Sequence, residues 1–100
     1  MLDQLTYEQM KEHIGETFRV TAGDQTLDFV LLRALKVMES EAARLKRTPF
    51  SLHFQGPPDP YVPQQVLSVR HPQFGEEELA IFFVPISREP AGYIYEAVFT

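Results

Sequence analysis

Six stretches of this chain alternate apolar and polar residues with a period of two, and no link between them reads as a βαβ crossover. The clearest is Phe50-Ser51-Leu52-His53-Phe54-Gln55. Phe18 and Val20 alternate with Thr17, Arg19 and Thr21, and Leu27, Phe29 and Leu31 return after Gly23-Asp24. Leu67 and Val69 mark a fourth stretch, Leu79, Ile81 and Phe83 a fifth, and Tyr93, Tyr95, Ala97 and Phe99 the last. Successive strand side chains point to opposite faces, so each stretch has one face to bury. Strands without crossovers pair antiparallel. The expected fold class is all-β, with α+β left open by one N-terminal helix. The architecture is a small six-stranded antiparallel barrel or a two-layer sandwich, with the helix plugging one end.

At 100 residues and 44% apolar composition, the chain has material for one core. It reads as a single domain over residues 1–100. Twelve aromatics exclude a disordered chain. No cysteine is present, which excludes a disulfide scaffold, a thiol nucleophile and a thiolate zinc site.

Local chemistry sets the ends of the elements. Thr6-Tyr7-Glu8-Gln9 fits a capping box, with Leu5 and Met10 at the staple positions. A helix from Tyr7 to about His13 follows, stopped by Gly15. Gly23-Asp24 suits a two-residue hairpin. The returning strand runs to about Val37, although residues 34–46 are rich in helix formers; a loop with room for one helical turn at 40–45 comes next. Four of the eight prolines lie between Gly56 and Pro63 and make a stiff, extended connection. His71-Pro72-Gln73-Phe74-Gly75 is a turn. Phe82 and Val84 make strand 79–84 apolar on both faces, so its second face needs the helix or a partner to cover it. Pro85 to Gly92 reads as a loop. The last strand is expected to pair within the sheet and close the core rather than hang free.

Nine basic side chains against fourteen acidic ones give a formal net charge of −5. Such a chain repels phosphate backbones, which argues against a nucleic-acid partner. Arg33, Lys36, Arg44, Lys46 and Arg47 supply five of the nine cations, whereas Glu76, Glu77, Glu78, Glu89 and Glu96 crowd the C-terminal part. No aromatic side chain lies between Phe29 and Phe50 to stack bases among those cations. The N-terminus lacks the basic start and apolar run of a signal peptide, and no stretch reaches membrane-spanning length. A cytoplasmic protein with no membrane association is the expectation.

Candidate chemistry is sparse. His13, His53 and His71 have neither HxH nor HxxxH spacing, so no metal site is expected; His71 reads as the cap of its turn and His53 as a solvent-facing side chain. Ser51 and His53 share a strand face with Asp28 within conceivable reach, but a mid-strand serine has no oxyanion donors around it and GxSxG is absent. Glu76 and Glu78 share a face and read as keeping a sheet edge soluble. The scattered glycines form neither GxGxxG nor a P-loop, so no cofactor is expected. The candidate binding loop is Pro57, Pro58, Pro60, Tyr61 and Val62, where proline fixes an extended backbone before docking. Arg33, His53 and Arg70 are the candidate contacts for an acidic group.

The chain also resembles a family of small uncharacterised bacterial proteins. The resemblance rests on Leu5-Thr6 with Gly15-Glu16-Thr17-Phe18, on Phe50 to Pro57, on His71-Pro72-Gln73-Phe74-Gly75, on Phe83-Val84-Pro85 and on Tyr95-Glu96-Ala97-Val98-Phe99. Residues 35–46 depart from it, being longer and more helix-prone than the short Gly/Pro-rich link of the family. The resemblance implies an encoding near phage-tail-collar proteins of the microcystin-dependent type, and with it a link to a tail-like assembly. It brings no catalytic residues. The leading expectation is therefore a non-enzymatic protein-binding or assembly module, with a protein partner or a second copy of itself. The alternative is a small-ligand-binding barrel that recognises an anionic compound in its mouth.

Overall fold

Thr6 accepts a hydrogen bond from the Gln9 amide at 3.1 Å, and the Gln9 side chain accepts one from the Thr6 amide at 3.1 Å. This capping box starts α1 (Tyr7–Lys11) in the computed structural model, which describes residues 5–36 and 49–99. The helix is shorter than the expected run to His13, because the chain leaves it through turns that end at Gly15. Six strands follow: β1 (Thr17–Ala22), β2 (Gln25–Lys36), β3 (Phe50–Gln55), β4 (Gln65–Arg70), β5 (Leu79–Glu89) and β6 (Gly92–Phe99). They close into an antiparallel barrel in the order β1-β2-β3-β6-β5-β4, with β4 returning to β1.

The register shows how the sequence imposes this order. Gly23 takes φ +64°, and Ala22 faces Gln25 across a two-residue turn, as the Gly-Asp pair requires. The strand of β2 runs through Leu35 and Lys36; residues 37–48, which hold the expected loop and helical turn, lie outside the described residues. The C-terminal strand is central rather than free. It pairs with β3 from Phe50–Phe99 to Gln55–Ile94 and with β5 from Val84–Glu96 to Glu89–Gly92.

One expectation fails. Residues 85–89 are strand, not loop: β5 passes through Pro85 and turns only at Pro90-Ala91. The register shifts between Pro85 and Ser87, and a bulge of this kind is where a sheet tolerates a residue without an amide proton.

The lumen is filled. Phe18, Phe29, Phe54, Phe83 and Tyr95 are fully buried, and their rings pack at centroid distances of 4.8–6.4 Å. Leu5 and Met10 bring the helix segment onto this core at the end where β1 begins, as expected of a plug. At the other end the proline connection lays Val62 into the core, and its amide donates to the Tyr95 hydroxyl at 3.1 Å. Closure leaves no free strand edge for Glu76 or Glu78 to protect; the Glu78 carboxylate instead accepts the Ser68 hydroxyl.

Candidate functional site

Register and exposure divide the outside of the barrel into two unlike walls. One wall is formed by β2, β3, β6 and β5, and its outer row runs on to the start of β4. Leu35 faces Ser51, Ser51 faces Val98, and Val66 faces Phe82. Continuing the β5–β6 register two residues past Val84–Glu96 sets Phe82 beside Val98. Four large apolar side chains thus share a row that Ser51 interrupts on β3, and they are far from buried: Leu35 on β2 is 45% exposed, Val98 on β6 62%, Phe82 on β5 50% and Val66 on β4 59%. The helix that could have covered strand 79–84 packs on β2 instead, and among the described residues nothing covers Phe82.

Directly below that row Glu96, His53 and Arg33 face one another in sequence across β6, β3 and β2, with Val84 of β5 on the far side of Glu96. His53 Nε2 lies 3.0 Å from Glu96 Oε2, and the imidazole is 12% exposed, so it does not face solvent as expected. Its Nδ1 is buried without a hydrogen-bond partner. Arg33, beside it, is exposed and makes no ion pair among the described residues. Below this row the wall sinks into a cavity of about 460 Å³ against the β5–β6 hairpin, with Leu32, Arg33, His53, Ile86 and Ile94 in its lining. Ile94 and Tyr95 are both buried although they are neighbours on one strand, because Ile94 floors this cavity while Tyr95 points into the barrel.

The candidate anion contacts do not converge. Arg33 and His53 are register partners on this wall, whereas Arg70 faces Arg19 on the β1–β4 wall. Asp28 is also remote from His53, since it pairs with Arg19 at 3.3 Å. Ser51 and His53 share the outer face, yet no hydrogen bond joins them, and the amides of β3 lie between two paired strands with none free for an oxyanion. The candidate binding loop is split. Val62 belongs to the core, Pro57 and Pro60 are half-buried, Pro58 is exposed, and Tyr61 is 52% exposed with its ring edge-on to Tyr93 at 5.1 Å.

The remaining histidines form a cluster that spacing along the chain did not reveal. His13 Nδ1 and His71 Nε2 each lie 2.9 Å from Glu16 Oε1, and His13 Nε2 lies 2.6 Å from Gln73 Oε1. Two histidines and a glutamate are a zinc donor set, and their ligand atoms fall within 4.8 Å of one another. The proton arrangement argues against it. His71 caps its turn, as the sequence suggested, with Nδ1 accepting the Gln73 amide at 2.9 Å. That nitrogen carries no proton, so Nε2 does, and donates it to Glu16. A metal on Nε2 would need either an imidazolate or loss of the cap, and metal-bound histidines donate from their second nitrogen rather than accept there. The cluster is a hydrogen-bonded knot joining the end of the helix segment, the start of β1 and the β4–β5 turn. Burial lowers the His13 pKa, but hydrogen bonds to Glu16 and Gln73 and the Glu16 charge outweigh it and hold it above 6.5. The same His13 bond holds the Glu16 carboxyl below its ordinary 4.5.

Family comparison covers almost the whole barrel, matching residues 5–99 to DUF6916, a domain of unknown function. The chain belongs to the DUF6916 family. No curated protein and no solved structure matches it. Among the described residues no helix is long and apolar enough to cross a membrane.

Proposed function

We propose that this DUF6916 domain is a non-enzymatic, cytoplasmic protein-binding or assembly module that docks through the wall formed by β2, β3, β6 and β5. The observation that carries the reading is the uncovered row Leu35, Val98, Phe82 and Val66. Scattered apolar side chains on a surface need no explanation, but Val98, Phe82 and Val66 are neighbours across three strands, and an apolar patch rimmed by polar groups is the usual mark of a partner site. Here the rim is Arg33, His53 and Glu96, and the opposite wall carries Arg19, Thr21, Thr26, Asp28 and Ser68. The filled lumen also supports this reading over an anionic ligand in the mouth of the barrel, because Arg33, His53 and Arg70 all sit outside it. The family resemblance adds a direction: a bacterial assembly of the phage-tail-like kind.

The test compares the parent chain with Phe82→Asp and Val98→Asp by light scattering across concentration and by affinity capture against products of neighbouring genes. Both substitutions replace half-exposed side chains, so the monomer folds unchanged while self-association or capture is lost. A chain that stays monomeric and captures nothing, or whose association is indifferent to both substitutions, overturns the proposal.

A further inference from the structure

Four residues along β4 from Val66, where the apolar row ends, Arg70 is the register partner of Arg19 of β1. Side chains directly opposite on antiparallel strands stand about 4.5–5.5 Å apart at Cβ, and like charges placed so repel. A chain with nine cations and a net charge of −5 has ample acid to separate two arginines, yet these face one another. Arg19 holds Asp28 at 3.3 Å, an exposed pair that contributes little. Arg70 has no acidic partner among the described residues. Glu16 bridges the two histidines and Glu78 accepts from Ser68.

Both arginines line one cavity of about 340 Å³, together with Thr17, His71, Pro72 and Gly75. Its back wall is stiff, because the His71 ring stacks on Phe18 at 4.1 Å and caps the turn that carries Pro72. We propose that Arg19 and Arg70, with the Thr17 hydroxyl beside them, form a binding site for a phosphoryl group. Guanidinium forks match the oxygens of phosphate or carboxylate in pairs. Two forks together present more donors than a carboxylate has oxygens, whereas a phosphate monoester offers three terminal oxygens and a charge near −2. The site is independent of the apolar wall and binds its anion against the net charge of the chain through contact geometry.

The phosphoryl group comes either on a free metabolite or on a phosphorylated protein side chain, and the experiment separates the two. The full chain is titrated at low ionic strength with inorganic phosphate, a sugar phosphate, and a phosphoserine peptide beside its unphosphorylated form, and followed by amide NMR. Saturable shifts are expected at Thr17, Arg19, Arg70, His71 and Gly75, and whichever organic phosphate binds more tightly than inorganic phosphate identifies the source. Arg70→Gln and Arg19→Gln each weaken binding about tenfold or more, while Arg88→Gln near the end of β5 leaves it unchanged. Circular dichroism confirms that the exposed substitutions leave the fold intact. Absence of saturable shifts with inorganic phosphate, or equal affinity in Arg70→Gln, overturns the site.

Discussion

Replacing Tyr95 by phenylalanine removes one oxygen from the centre of the fold and tests how the proline connection is held. Tyr95 is fully buried, and its ring stacks on Phe29 at 4.8 Å, a contact that the substitution preserves. Its hydroxyl accepts the amide of Val62, which is itself 4% exposed, so water has no easy route to replace the lost acceptor. A buried amide left without a partner costs about 1–3 kcal/mol, against about 0.5–1.5 kcal/mol for the net worth of an ordinary hydrogen bond. For a domain of this size each kcal/mol moves the thermal midpoint by about 4–8 °C, so a drop of about 4–24 °C is expected. Thermal and urea denaturation measure it, with hydrogen exchange at the Val62 amide as the local readout, since that amide loses protection. Tyr61→Phe is the control: it takes a hydroxyl from a half-exposed ring and changes stability by less than about 0.5 kcal/mol. An unchanged Tyr95→Phe midpoint with Val62 still protected would refute the reasoning, because the connection would then be held by something other than this bond.

The knot of His13, Glu16 and His71 makes stability depend on pH from both sides. Glu16 titrates below its unfolded 4.5, so its contribution is present above that value and is lost as pH falls through the lowered one; His13 titrates above 6.5, so its contribution is complete below 6.5 and is lost as pH rises through the raised value. Thermal midpoints measured against pH are therefore expected to favour the parent over His13→Gln most between those limits, with the difference shrinking in acid and in alkali; a constant difference would show that the groups are uncoupled. Gly92→Ala tests the β5–β6 hairpin: Gly92 sits at φ +151°, and a Cβ there would collide with the Gly56 carbonyl oxygen. Denaturation is expected to show a loss above about 3 kcal/mol, and a loss under about 1 kcal/mol would mean that the two backbones do not approach so closely.

What the sequence made legible is local in origin. The period-two alternation at Phe50, Leu52 and Phe54 holds in the structure because one face of β3 meets the lumen along its whole length. The capping box of Thr6 and Gln9 and the Gly23-Asp24 turn were equally readable, since each depends on residues within four positions. Pro85 misled for a physical reason. Proline usually ends a strand, and only the bulge that follows it, a feature of two paired strands, lets β5 continue. The site residues fail the same test of locality. His53 and Glu96 are 43 positions apart, and they meet because β6 rather than β4 lies beside β3. His13 and His71 meet only when the barrel closes through β1 and β4, and that same closure sets Arg19 against Arg70. Strand order decides each of these pairs, and alternation carries no information about strand order.

Closure also limits how such a domain can recognise anything. An open sheet offers unpaired backbone at its edge, and a partner can bind there by adding a strand, with little demand on side chains. Here β1 pairs with both β2 and β4, and every other strand likewise has two neighbours, so that route is gone. A wide barrel could instead take a ligand inside, but six strands enclose a lumen that Phe18, Phe29, Phe54, Phe83 and Tyr95 fill. Recognition is left to the outward side chains. In one row these are Leu35, Val66, Phe82 and Val98, whose exposure brings no gain to the isolated fold; across β1 and β4 they are Arg19 and Arg70, whose opposition carries a repulsive cost. A strand surface in water is most soluble and most stable with neither feature. On the two proposals made above, each feature would be balanced by its own occupant, the apolar row by a protein surface and the arginine pair by a phosphoryl group.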